Sequence, residues 1–196
     1  MRAKSKLSDV LSRGERETLH RQLLEQTLIT ISEVPQVERT LVISRDPSAL
    51  ALARDFGART VSERGNPNLR SSLVRSSLVA RGYGVSAVLI LPADLPLLSK
   101  EDIERFLDHA EPPPVVVIAP DRRGQGTNAL LSSPPGLIEY NFGPNTFSLN
   151  IAQAEKAQAR VEICDFPSLG LDLDLPEDLE FFGEKRLEGL LKPDKE

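Results

Sequence analysis

The sequence is short of the groups on which many enzymes and extracellular scaffolds depend. A single cysteine, Cys164, stands among 196 residues, which excludes an intramolecular disulfide framework and points to a reducing cytoplasm as the setting. Only two histidines occur. His20 falls beside the apolar stripe of a helical segment and His109 at a helix end; neither has a serine or cysteine motif around it, and both read as surface or helix-end residues. Long apolar runs are missing too. The longest, 85–98, is interrupted and too short to span a bilayer, and no basic-then-apolar signal segment opens the chain. Neither sign of charge dominates: 24 basic and 29 acidic side chains are well mixed, for a net charge of −5, so there is no footprint for nucleic acid or an anionic membrane. An anionic ligand must therefore be held by a local site. With no Walker A motif and no G-x-G-x-x-G after the first strand, ordinary kinase and nicotinamide-dehydrogenase readings lose their main support.

What is present suffices for one domain with a real core, since 40% of the residues are hydrophobic. Segment 15–34 places Leu19, Leu23, Thr27, Ile31 and Val34 on one helical face, with Pro35 limiting its end. Strand patterns at 40–44 and 59–62 enclose a helix over 48–57, closed by Gly57 in a left-handed terminating position. A helix over 69–82, a continuous apolar strand at 87–91, a helix capped by Ser99 and a second buried strand at 115–119 follow. Strand and helix alternate, which predicts an α/β, three-layer fold: a mixed, mostly parallel sheet covered on both faces. Beyond Pro120 two glycine-bearing loops, 121–128 and 142–147, are set among a strand at 129–133, a helix to about Ala157 and a strand at 161–165. Cys164 reads as core. The domain is expected to span 1–183, and the charged tail 184–196 to be a fraying helix.

Four constellations could carry chemistry. In LPADLPLL, Asp94 lies just past a strand expected to be central, where open α/β sheets bind ligands. Flanking prolines stiffen it, and a divalent cation would offset the cost of burying a carboxylate; a loop aspartate capping a turn is the alternative. In GLDLDLPEDL, Asp172 and Asp174 are two apart in an extended segment and point to the same side. Glu177 and Asp178 are better explained by the start of a helix at Pro176. In FGPNTF a tight turn opens into a helix start that suits phosphate or carboxylate, with Thr146 or Ser148 as cap, or is an ordinary capped helix. DRRGQGTN offers Arg122, Arg123, Thr127 and Asn128 beside glycine backbone, and RAKSKL three cations in five residues; alone, each could be solvated surface.

In this order, AKSKL, LPADLPLL, IAPDRRGQGTNALL, FGPNTF and LDLDLPEDL resemble the phospholactate guanylyltransferase family of deazaflavin coenzyme (F-420) synthesis, from residue 3 to about 182. The glycine-threonine-asparagine run and the F-G-P loop are the specific parts. The resemblance implies a nucleotidyltransferase fold like the GT-A glycosyltransferases. It also implies transfer of a guanylyl group from GTP to 2-phospho-L-lactate, phosphoenolpyruvate or a related phosphoacid. Carried over, Asp94, Asp172 and Asp174 would hold Mg²⁺, Lys4 and Lys6 would neutralise the triphosphate, Thr127 and Asn128 would touch the acceptor, and Gly143, Asn145 and Thr146 would cradle its phosphate. The oligomeric state stays open, with a homodimer as one option.

This chain departs from the family pattern at three places. Met1 falls inside the region where the family begins with a strand and a P-V-K-P-L-like stretch, so the first, central strand and part of the nucleotide loop are expected to be lacking, with weak folding and little activity as the consequence. Lys6 stands where arginine is common, which keeps charge but loses a bidentate grip. Leu69-Arg70 replaces L-N, with Asn68 one place early. The alternatives are a nucleotidyltransferase with another acceptor, of the molybdopterin guanylyltransferase or sugar-phosphate type, a glycosyltransferase using Asp172-x-Asp174, and a GTP-binding module without catalysis.

Overall fold

The computed structural model describes residues 5–63, 73, 82 and 84–192. The helix expected over 69–82 lies outside them apart from Leu73 and Gly82, both helical. After a 3₁₀ turn at Ser5–Leu7, helix α1 (Arg13–Ser32) opens with Ser12 as cap: its hydroxyl accepts from Glu15 N–H, and the Glu15 carboxylate accepts from Ser12 N–H at 2.8 Å. The buried face of α1 is wider than the expected stripe. It adds Leu24 and Leu28 to Leu19, Leu23 and Ile31, because α1 packs against three separate apolar clusters rather than one.

Strand β1 (Leu41–Ser44), helix α2 (Pro47–Asp55) and strand β2 (Arg59–Ser62) form a parallel βαβ unit, with Asp46 capping α2 and Gly57 at φ +76° closing it. The second sheet holds β3 (Val88–Ile90), β4 (Val115–Pro120), β5 (Thr127–Ser133) and β6 (Arg160–Ile163) in the order β3-β5-β4-β6. Helix α3 (Lys100–Asp108), capped by Ser99 as expected, lies between β3 and β4 in the chain. Helix α4 (Phe147–Lys156) connects β5 to β6.

Three of these four strands share one direction, and β5 runs against them. The sheet is mixed, as the alternation predicts, but two of its three ladders, both made by β5, are antiparallel. The reason is local: six residues join β4 to β5, enough for a hairpin and too few for a crossover. Alternate residues of these strands face opposite layers. Val115, Val117, Ala119, Ala129 and Leu131 pack with Ile31, Ile103 and Phe106, whereas Val116, Ile118 and Leu130 pack with Tyr140 and Ala154, so the sheet is covered on both sides.

Among the described residues β1 and β3 each pair with one neighbouring strand, and the two sheets are not hydrogen-bonded to each other. Ile43 of β1 and Ile90 of β3 nevertheless pack on the same cluster. Both strands remain half-buried, unlike the fully buried β4 and β5.

The short helices α5 (Pro167–Gly170) and α6 (Pro176–Phe182) lead into α7 (Glu184–Leu191). Of the tail expected to fray, Glu184–Leu191 form a helix packed on the domain. Leu187, Leu190 and Leu191 join Leu7, Leu11, Leu19, Leu23, Leu171, Leu173 and Phe182 in one cluster against α1, and this apolar face is what orders it. No helix among the described residues is long and apolar enough to cross a membrane.

Candidate functional site

The hairpin loop between β4 and β5 organises the site. Asp121 shapes it, its Oδ1 accepting from Arg123 N–H at 3.2 Å and Gln125 N–H at 2.8 Å. Gly126 passes so close beneath that a Cβ there would stand 2.8 Å from Asp121 Oδ2 and 3.2 Å from the Gly143 carbonyl. On one side the loop holds the 142–147 turn: Phe147 N–H donates to the Gln125 carbonyl, Thr127 Oγ1 accepts from Asn150 Nδ2 at 3.0 Å, and the Thr127 and Thr146 hydroxyl oxygens lie 3.3 Å apart. On the other it holds the chain entering GLDLD. Arg122 N–H donates to the Gly170 carbonyl at 2.7 Å, and Asn128 Nδ2 donates to the carbonyls of Leu169 and Gly170.

Leu171 and Leu173 point down into the apolar cluster, so the period of an extended chain turns Asp172 and Asp174 outward together. Leu173 N–H donates to the Asp94 carbonyl at 3.1 Å, which seats the first acidic segment beside the second. Asp94 is half-buried, and its neighbour Leu95 anchors the loop in the core. Burial, then the nearby carboxylates of Asp94, Asp174 and Asp178, push the Asp172 carboxyl above its ordinary range. Lys6 Nζ stands 3.5 Å from Asp174 Oδ2. The structure therefore brings Asp94, Asp172, Asp174 and Lys6 to one rim, next to the hairpin that carries the 142–147 turn. Lys4 lies outside the described residues, as do Asn68, Leu69 and Arg70.

Gly143 and Asn145 are exposed in left-handed conformations, φ +104° and +59°. Thr146 stands at the start of α4, but neither it nor Ser148 caps the helix in the expected way: the Thr146 hydroxyl donates to the Gly143 carbonyl at 2.7 Å and stays inside the turn. Thr127 and Asn128 are 3% and 6% exposed, and the Thr127 hydroxyl and Asn128 amide bond to the protein. They position the two loops that flank the site. Local sequence shows these two as polar residues beside glycines, with no trace of partners 19 to 42 positions away.

The same limit hid Asp178. It is fully buried and accepts from both Arg122 and Arg123, a pairing that the pattern of a helix start does not reveal. His109 closes α3 with Nδ1 3.8 Å from Glu162. Cys164 is buried, and burial with the Glu162 charge pushes its thiol up to about 11, so it is inert core.

Among the described residues no three carboxylate, histidine or cysteine side chains are grouped closely enough to enclose a metal ion. Crowded carboxylates nonetheless fit an ion that takes only one or two protein ligands and fills its shell from phosphate and water, which is how Mg²⁺ is held.

A family model described as guanylyl transferase CofC like matches residues 1–188. This chain belongs to the CofC-like guanylyl transferase family. A phosphoenolpyruvate guanylyltransferase of Rubrobacter xylanophilus is 38% identical over 177 residues, covering 90% of this chain and 85% of that protein. A 2-phospho-L-lactate guanylyltransferase of Methanothermobacter thermautotrophicus is 35% identical over 178 residues, covering 90% and 77%. Among solved structures, one from Desulfovibrio desulfuricans described as a nucleotide-diphospho-sugar transferase superposes with a TM-score of 0.76 at 15% identity, covering 96% of this chain and 87% of that one. A nucleotidyl transferase from Methanothermobacter thermautotrophicus gives 0.63 at 17%, covering 85% and 81%. These structures place the CofC-like chain in the nucleotidyltransferase fold.

Proposed function

We propose that this protein transfers the guanylyl group of GTP to the phosphate of a three-carbon phosphoacid, phosphoenolpyruvate or 2-phospho-L-lactate, and releases pyrophosphate, in the synthesis of the deazaflavin coenzyme F-420. The observation that carries the reading is the meeting of Asp94 with Asp172 and Asp174 on one rim, beside a hairpin that also holds the 142–147 turn. The names of the relatives supply the substrates.

An acceptor phosphate oxygen attacks the α-phosphorus of GTP; one P–O bond forms, the bond to the β-phosphate oxygen breaks, and its electron pair leaves with pyrophosphate. The acceptor phosphate has a second pKa of about 6 and is already ionised at neutral pH. No general base is needed, in keeping with the placement of His109 and Cys164 away from this rim's hydrogen bonds. The residues have instead to bring two anions together. Asp94 with Asp172 or Asp174 would hold Mg²⁺, which when bound supplies positive charge between the two substrates. Lys4 and Lys6 offset the triphosphate charge. Gly143, Asn145 and Thr146 present the turn that receives the acceptor phosphate, and Thr127 and Asn128 keep that turn and the acidic segment in register. In this reading the enzyme is cytoplasmic, acts on small molecules rather than nucleic acid or membrane, and can work as a homodimer.

Incubation of the purified protein with Mg²⁺, GTP and each acid in turn, with ATP and CTP as controls, tests this by pyrophosphate release. Release is expected with GTP and at least one acid, falling about a hundredfold or more in Asp94→Asn, as when a group that stabilises developing charge is removed. GTP binding without pyrophosphate release with any acid would favour a binding module instead.

A further inference from the structure

Asp178 does more than begin a helix. Its Oδ2 accepts from Leu175 N–H at 2.8 Å and Asp174 N–H at 3.3 Å, which is all that a helix start requires. Its Oδ1 accepts from Arg122 Nε at 3.2 Å, Arg122 Nη2 at 3.0 Å and Arg123 Nη2 at 2.7 Å. Two cations thus converge on one oxygen of a fully buried carboxylate, next to the candidate site for anionic substrates. A buried ion pair is a poor way to gain stability, because desolvation offsets most of the attraction.

We propose that Asp178, Arg122 and Arg123 form a charge clamp that positions Asp172 and Asp174 for the divalent ion, an inference that rests on the guanylyl-transfer reading. The segment 170–175 hangs from three points. The Gly170 carbonyl is held by Arg122 N–H and Asn128, Leu173 N–H by the Asp94 carbonyl, and the Asp174 and Leu175 N–H groups by Asp178. The first and third supports both run through the 121–128 hairpin. The clamp therefore couples the carboxylates to the same loop that holds the 142–147 turn, so the two halves of the site keep a fixed separation.

Charge supports the assignment. The guanidinium of Arg123 loses some solvation, yet its pairing with Asp178 and the proximity of Asp172 and Asp121 raise its pKa, so it stays a cation beside the carboxylate that needs one. The Arg122 guanidinium also lies over the Phe181 ring, 5.2 Å from its centroid.

The test compares wild type, Asp178→Asn and Arg123→Lys by Mn²⁺ binding in the presence of GTP, by backbone amide exchange and by thermal melting. Asp178→Asn keeps an acceptor for Leu175 N–H but not the charge; Arg123→Lys keeps the charge and the helix start but not the planar fork. Weaker Mn²⁺ binding by about tenfold or more, the usual loss when a group that orients metal ligands is removed, is expected in Asp178→Asn, with a smaller loss in Arg123→Lys at unchanged melting temperature. Mn²⁺ affinity within twofold of wild type in both variants, with only the melting temperature lowered, would overturn the clamp. Should Asp178→Asn fail to fold, Arg123→Lys decides alone on the same criterion. Failure of the wild type itself to bind Mn²⁺ with GTP would sink the guanylyl-transfer reading; the clamp is then judged by exchange at 172–175, which must quicken in the variants while β4 stays protected, and unchanged exchange there overturns it.

Discussion

At the scale of single residues, the role proposed for Asp172 sets function against stability. Burial and three neighbouring carboxylates raise its pKa above the ordinary value. A carboxyl raised in this way binds its proton more tightly folded than unfolded. Its contribution to stability is full below the ordinary pKa and is lost as pH rises through the raised one, so at neutral pH the Asp172 charge strains the fold. Asp172→Asn is accordingly expected to raise the melting temperature of the cation-free protein at pH 7, with the gain vanishing as pH falls through the carboxylate range, and to abolish pyrophosphate release. A lower melting temperature at pH 7 would contradict this account. Asp94, Asp172 and Asp174 were legible because their signals are local: a proline frame and an alternating D-L-D-L. Asp178 looked equally local, as an acid in the first turn of a helix, but its partners lie 55 and 56 positions earlier.

At the scale of elements, the β4–β5 hairpin is the part that the rest of the site leans on. Asn128 carries one side of it, and its amide satisfies the buried chain at Leu169 and Gly170. Without Asn128 the Gly170 carbonyl retains the Arg122 N–H, whereas the Leu169 carbonyl loses its amide donor. Asn128→Ala is expected to destabilise by about 1–3 kcal/mol, the range for stranding a buried polar group, measured as a shift in the urea midpoint at constant slope. Activity should fall beyond the loss of folded protein, because Asp172 lies three and two residues past the Leu169 and Gly170 carbonyls that Asn128 holds. A shift below about 0.5 kcal/mol would assign Asn128 no supporting role. The helix start at Ser99 was readable because its side chain closes on its own backbone; the caps at Ser12 and Asp46 came from the structure. The reversed strand β5 was not, since an apolar run carries no mark of direction. The docking of α7 was likewise hidden, because charged residues dominate its sequence while buried Leu190 and half-buried Leu187 and Leu191 pack on the cluster against α1.

At the scale of the whole molecule, the two sheets differ in how they are secured. β4 and β5 are enclosed on both faces, with each hydrogen-bonded along both edges for β4 and β5 alike. β1 and β2 form a two-stranded unit of four residues each, and β2 is largely exposed. Small, half-exposed sheets open more readily than enclosed ones. Amide exchange is expected to be slowest in Val115–Pro120 and Thr127–Ser133 and faster by about two orders of magnitude or more in Leu41–Ser44 and Arg59–Ser62, a span that local opening commonly covers. Equal protection across both sheets would show instead that the molecule opens as one unit. By itself the sequence determined the α/β class, the helix start at Ser99, the family resemblance and the acidic and glycine-bearing segments, because each depends on residues close together in the chain. Only the tertiary structure decided the direction of β5, the docking of the tail helix and the bonds from Asn128 and Asp178 that bring the site's halves together, because those depend on pairing between distant segments that no local pattern encodes.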